Sequence, residues 1–131
     1  MRYLLDTNAV IALLDGNAGV LRRIRRKAPM DVGISSVVAH ELYYGAFRSR
    51  RKESNVALVD ALQFEVLDFD KEDARASGEI RAGLADTGKA IGPYDVLIAG
   101  QALARGLVLV THNMGEFGRV AKLAVEDWES P

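Results

Sequence analysis

The sequence predicts a three-layer α/β fold, with a central, mostly parallel sheet of four to five strands flanked by helices. Short apolar runs at 3–5, 32–34, 64–67 and 107–110 alternate with longer stretches of helical periodicity. That alternation marks strands joined by crossover helices. The run Leu107-Val108-Leu109-Val110 is apolar throughout, as suits a strand covered on both faces. No internal repeat, low-complexity tract or linker interrupts the 131 residues, so one domain spanning 1–131 is expected.

Each element has its own local reason. Tyr3-Leu4-Leu5 ends abruptly in Asp6-Thr7-Asn8 and gives way to Ala9-Val10-Ile11-Ala12-Leu13-Leu14, a strand, a tight turn and a helix. Asp15 to Gly19 reads as a turn. A basic helix follows over 20–27, with Val20, Leu21 and Ile24 as its apolar stripe and Pro29 beyond its end. After the second strand, Ser35-Ser36 caps a helix running to about Arg48. Residues 53–62 form another helix, and 64–67 the third strand. Asp70 opens a long polar helix to about Ala85, and 86–89 is a loop. Gly92-Pro93 starts the next helix, since proline suits the first helical position, and Arg105-Gly106 closes it. The fourth strand spans 107–110, and 124–128 is a short fifth.

Composition narrows the function classes. The hydrophobic fraction of 49% and charged fraction of 27% are ordinary for a soluble globular chain. Without cysteine there is no disulfide framework, thiolate nucleophile or cysteine-based zinc site. Asp6 interrupts the first apolar stretch, which disfavours an export signal, and no stretch approaches the ~20 apolar residues of a membrane span. The cytoplasm is the expected compartment. The net charge of −1 conceals an asymmetry. Residues 1–52 hold ten Lys/Arg against four Asp/Glu, and 53–131 hold seven against fourteen. Arg22, Arg23, Arg25 and Arg26, with Lys27, form one basic cluster; Arg48, Arg50 and Arg51, with Lys52, form another. Phosphate-backbone binding and solvated helix ends are equal readings of the pair.

Three carboxylates stand in unusually apolar company. Asp6 ends the first strand, at the edge where open α/β sheets bind ligands, although capping the following helix explains it equally well. Glu41 shares a helix face with Val37, Val38 and Gly45, and Asp95 with Ile98, Ala99 and Ala102. An unpaired carboxylate in such a place is costly. The basic residues sit in runs or on polar helices, so Asp6, Glu41 and Asp95 point to a shared cation, with Mg²⁺ or Mn²⁺ suited to hard oxygen ligands. After the fourth strand, Thr111-His112-Asn113-Met114-Gly115-Glu116 borders the same edge. There Asn113 is a candidate neutral ligand and Glu116 a charged one. Thr7, Asn8 and Thr111 are expected around the acids, as weak ligands or as groups orienting water or phosphate. His40 and His112 lack the spacing of a zinc pair, and the sequence has no P-loop, no Gly-x-Gly-x-x-Gly and no Gly-x-Ser-x-Gly elbow.

The ordered set of motifs resembles the PIN-domain ribonucleases, specifically VapC-type toxins of bacterial toxin–antitoxin pairs. It comprises Leu4-Leu5-Asp6-Thr7-Asn8, Ser35-Ser36 with Glu41-Leu42-Tyr43-Tyr44-Gly45-Ala46, and Ile91-Gly92-Pro93-Tyr94-Asp95 with Leu97-Ile98-Ala99. Leu109-Val110-Thr111, Glu116-Phe117 and Val125-Glu126-Asp127-Trp128 complete it. The resemblance covers essentially the whole chain. It implies a PIN-like fold, a Mg²⁺ or Mn²⁺ site on Asp6, Glu41 and Asp95, and hydrolysis of RNA, transfer RNA included, to 5′-phosphate and 3′-hydroxyl ends. It further implies a homodimer and a small antitoxin partner. Many PIN domains carry a fourth acid where this chain has Asn113, and Glu116 is the residue expected to supply the missing charge.

Two rival classes leave their own marks. A PIN-like module that binds RNA or protein without turnover stays open through the departure at Asn113. A metal phosphatase would place a second Asp at Asn8, and a phosphoacceptor domain would place a lysine near Thr111-His112-Asn113; this chain has neither.

Overall fold

A computed structural model describes residues 1–130. Five strands, β1 (Tyr3–Leu5), β2 (Val32–Ser35), β3 (Glu65–Leu67), β4 (Val108–Val110) and β5 (Val125–Glu126), form one sheet in the order β3-β2-β1-β4-β5. Every pairing is parallel. The helices are α1 (Thr7–Leu14), α2 (Ala18–Ile24), α3 (Ser36–Arg48), α4 (Lys52–Asp60), α5 (Lys71–Asp86), α6 (Pro93–Ala104) and α7 (Met114–Phe117), with a 3₁₀ turn over Pro29–Asp31.

The centre of the sheet is the most buried part of the chain. Leu4, Leu5 and Leu109 are wholly inaccessible and Val110 nearly so, packed with Val10, Val38, Ile98 and Ala99 from three surrounding helices. Such positions bury on both faces, hence the unbroken apolar runs. Glu65 and Val66 of β3 are exposed, because β3 is an edge strand.

Differences from the expected elements have local causes. α2 begins two residues before the expected start because the Asn17 side chain accepts the Val20 N–H at 3.1 Å. It ends at Ile24, and Lys27 turns back so that its ammonium lies 4.6 Å from the Tyr3 ring centroid. The fifth strand shrinks to Val125–Glu126, since Asp127 turns back on itself: its Oδ1 accepts the Glu129 N–H and its Oδ2 the Ser130 hydroxyl. The segment after β4, expected as a loop, contains the helical turn α7, capped by Asn113.

α5 and α6 pack in close apposition. Gly100 is the contact point: a Cβ there would lie 2.6 Å from the Ser77 backbone nitrogen. Beside it Asp73, 1% exposed, is neutralised by Arg105 (3.0 and 3.2 Å), bonded by the Gln101 amide (3.0 Å), and closed into a capping box with Asp70. Gly100→Ala should force these helices apart and lower the unfolding free energy by about 1–3 kcal/mol, read from denaturant melts. A variant as stable as the parent would show that the contact yields without cost.

Candidate metal centre

The strand order reverses direction between β1 and β4, so a crevice opens beyond their carboxyl ends, where open α/β sheets bind ligands. Leu5 stands opposite Val110 in the ladder, and the Asp6 N–H donates to the Val110 carbonyl at 3.0 Å, so the residues leaving these two strands are brought abreast.

Asp6 is 3% exposed. Its Oδ1 accepts the Ala9 N–H at 2.8 Å, making it the N-cap of α1, so the cap and the site residue are one and the same side chain. Burial raises its pKa. The Thr111 hydroxyl facing it and the Ala9 N–H work the other way, and the charges of Glu129 and Glu41 add to the rise. Glu41, half-buried on α3, has its Oε1 held by the Thr7 hydroxyl at 2.8 Å. Asp95 lies in the first turn of α6. Burial, reinforced by the charges of Glu116, Asp6 and Glu41, pushes its pKa up to about 6, and the Glu116 carboxylate is near enough to share a hydrogen bond with it. Four carboxylates from four elements therefore feel one another. None has an ion-pair partner among the described residues.

That arrangement fits a divalent cation. Asp73 shows what the chain does when a buried acid is meant to be neutral overall: it supplies Arg105 and Gln101. At Asp6 it supplies the Ala9 N–H and a threonine hydroxyl beside more acid, and at Asp95 more acid, with no paired cation at either among the described residues. Oxygen donors without nitrogen or sulfur match Mg²⁺ or Mn²⁺.

The other expected site residues divide. Thr7 and Thr111 lie among the acids, each with its hydroxyl against a carboxylate. Asn8 is exposed and makes no side-chain hydrogen bond among the described residues. Asn113 does not offer a free oxygen: its Oδ1 accepts the Glu116 N–H at 3.3 Å and its Nδ2 donates to Glu116 Oε2. The charge of Glu116 is felt at Asp95, where it helps to raise the pKa. The spacing Asn-x-x-Glu is that of a helix cap with an acid in the first turn, a signal that locates α7 and that the ligand reading passed over.

The basic clusters are not brought to the acids. Arg22, Arg25 and Arg26 are exposed on and just beyond α2, while Arg23 donates to the Asp127 carbonyl at 2.6 Å and tethers the chain's end. Lys27 sits over Tyr3, the residue of β1 farthest from Asp6. Arg48, Arg50 and Arg51 are exposed at the distal end of α3, with Arg48 over the Tyr44 ring. His112, with no role expected from its sequence spacing, lies 3.0 Å from Asp127 Oδ2 and 3.9 Å from Glu129 Oε2. Burial works against ionisation of Asp127, yet the Ser130 hydroxyl, the Glu129 N–H and His112 hold its pKa below the ordinary value.

The raised acids make a pH prediction for the metal-free protein. Asp95 titrates near 6 when folded against an ordinary 3.8, so the folded state holds the extra proton between those values and stability falls as pH rises through that window. Asp6 has the same sign. Asp73 and Asp127 have lowered pKa values, so their contribution is lost only below the ordinary carboxylate range. In chelator, the melting temperature should therefore be higher at pH 5 than at pH 7.5. Asp95→Asn should flatten that slope and stabilise the protein at pH 7.5 by about 1 kcal/mol, after allowance for solvent screening. A melting temperature that climbs steadily from pH 5 to 7.5 would contradict the repulsion.

Comparison with known proteins places the chain in a family. The PIN domain model matches residues 3–123. The tRNA(fMet)-specific endonuclease VapC of Salmonella typhimurium is 41% identical over 130 residues, covering 98% of each chain. Ribonuclease VapC2 of Haemophilus influenzae is 37% identical over 131 residues, again with 98% of each covered. Among solved structures, DNA-bound VapBC from Salmonella typhimurium superposes with a TM-score of 0.92 at 40% identity, covering 98% of both chains. VapBC2 from Rickettsia felis, bound to a DNA fragment from its promoter, gives 0.88 at 33%, covering 98% of this chain and 99% of that one. With the family model and full-length relatives in agreement, the chain belongs to the PIN-domain family and, within it, to the VapC ribonucleases.

Proposed function

We propose that the chain is a toxin endoribonuclease that hydrolyses RNA phosphodiester bonds, using Mg²⁺ or Mn²⁺ held by Asp6, Glu41 and Asp95 with Glu116 beside them, and that a small antitoxin neutralises it. The observation that carries this is that Asp95 feels the charges of Glu116, Asp6 and Glu41, with no cation paired to any of the four among the described residues. Transfer RNA is the substrate class, supported by the relative named for tRNA(fMet). The antitoxin is supported by the VapBC complexes. A homodimer is carried over from the resemblance alone, and no helix among the described residues is long and apolar enough to cross a membrane.

A bound divalent ion supplies a water of lowered pKa and offsets charge growing on the phosphate. The protein's part is to keep its oxygens in place. The Ala9 N–H and the Thr111 hydroxyl fix Asp6, and Thr7 fixes Glu41. Asp95, whose pKa burial raises, must be ionised to serve as a ligand, which makes loading weaker in acid. No histidine lies within the acidic set to act as a separate base, and none is required.

Asp95→Asn keeps side-chain volume while removing charge, and should lower Mn²⁺-dependent cleavage of transfer RNA at least ~100-fold with the fold intact. Cleavage at the parental rate by a well-purified variant would remove Asp95 from the site.

The RNA backbone is assigned to the exposed cations Arg22, Arg25, Arg26, Arg48, Arg50 and Arg51, without Arg23. Replacing Arg22, Arg25 and Arg26 with Gln should flatten the salt dependence of RNA binding. Arg23→Gln should leave that slope alone and lower the melting temperature instead. An unaltered slope in the triple variant would free α2 from any part in the RNA path.

A further inference from the structure

We propose that Asn113 is a positioning residue, whose carboxamide holds the Glu116 carboxylate toward Asp95 and does not itself face the metal. The inference rests on reading Asp6, Glu41 and Asp95 as ligands, and adds how the fourth charge is delivered.

The geometry is specific. Asn113 is the N-cap of α7 and Glu116 stands at its third helical position. In a capping box the side chain at that position folds back onto the cap's own N–H, as Asp73 does to Asp70 at 3.0 Å. In α7 that N–H is already taken: Asn113 N–H donates to the Thr111 Oγ1 at 2.9 Å. Glu116 is thereby released from the box and receives the Asn113 Nδ2–H instead, with its carboxylate near enough to Asp95 to raise the pKa of that residue. The carboxamide orientation follows from chemistry, since the reverse would set oxygen against carboxylate and NH₂ against N–H. Both polar ends of Asn113 are therefore engaged within its own turn.

Thr111 joins the two halves. Its hydroxyl faces Asp6 and its oxygen accepts the Asn113 N–H. Hydrogen bonds thus link Thr111 through Asn113 to Glu116, with Asp6 facing one end and Asp95 the other. An aspartate at 113 would keep the cap, because its oxygen still accepts the Glu116 N–H. It would lose the donor and set a like charge against Glu116. The effect of Asn113→Asp therefore depends on whether Glu116 is charged, which no direct ligand role would require.

Mn²⁺ binding to the full chain by calorimetry, in wild type, Asn113→Asp, Glu116→Gln and the double variant, tests this. Asn113→Asp should weaken binding about 10-fold, the usual scale for a group that orients a ligand. In the Glu116→Gln background the same change should cost less than about 2-fold. If Asn113→Asp tightens Mn²⁺ in both backgrounds, Asn113 faces the ion and the proposal falls. Equal weakening in both also overturns it, since the effect then bypasses Glu116. Asp95→Asn serves as the separate control: unchanged Mn²⁺ affinity there defeats the metal-site reading itself. A metal-independent measurement keeps the two apart. In the chelated protein, one Asn113 side-chain NH₂ proton should resonate downfield and move upfield in Glu116→Ala. A resonance that does not move refutes the contact whatever the metal does.

Discussion

Unneutralised negative charge at the switch point of the sheet governs much of this molecule. Asp6 and Asp73 are both acids with almost no exposure, 3% and 1%, and the chain treats them in opposite ways. Around Asp73 it assembles Arg105, the Gln101 amide and a complete capping box. Burial still counts against ionisation there, yet these partners carry its pKa below the ordinary value. Around Asp6 it places Glu129 and Glu41, and around Asp95 it places Glu116 with Asp6 and Glu41, and the pKa of both Asp6 and Asp95 rises. An isolated buried charge costs several kcal/mol, so the second arrangement persists only because the rest of the fold over-determines it.

That over-determination lies in the sheet. β1 is the central strand, paired on both sides, and its register with β4 is fixed by residues buried on both faces. A slip of one residue would turn every side chain over and replace Asp6 with Leu5 or Thr7 at the crevice. The tether by Arg23 onto the Asp127 carbonyl, the packing of Trp128 5.3 Å from Tyr3, and Lys27 over both rings lock the chain's end against the same strand. Cations that look available for substrate in the sequence are thus partly spent on holding the strand that presents Asp6.

What the sequence disclosed follows from this division. Asp6, Glu41 and Asp95 stand out in the sequence because each interrupts an apolar stretch, and a charge left there must answer to something nearby. The parallel sheet was legible because doubly covered strands leave unbroken apolar runs, as at 107–110. The role of Asn113 was not, because a ligand and a helix cap use the same atoms at the same spacing. Only the third partner, Thr111, separates them, and its claim on the Asn113 N–H is a matter of position in space. The basic runs divide for a related reason. Arg22 and Arg23 are neighbours in sequence, yet one is exposed and the other donates to a carbonyl about a hundred residues along the chain.

The contrast between α5 and α7 shows how small a change converts a structural device into a functional one. Both helices begin with a polar cap and carry an acid at the third position. In α5 the acid closes the box and is then neutralised by Arg105, which ties the helix to α6. In α7 a threonine at the end of β4 occupies the N–H that would close the box, so the acid is left with a carboxylate to present. Thr111 can do this only because it is buried at the strand end with its hydroxyl shared between Asp6 and the turn. The charge at the fourth corner of the crevice is therefore set by the end of a strand, one turn away from the residue that carries it.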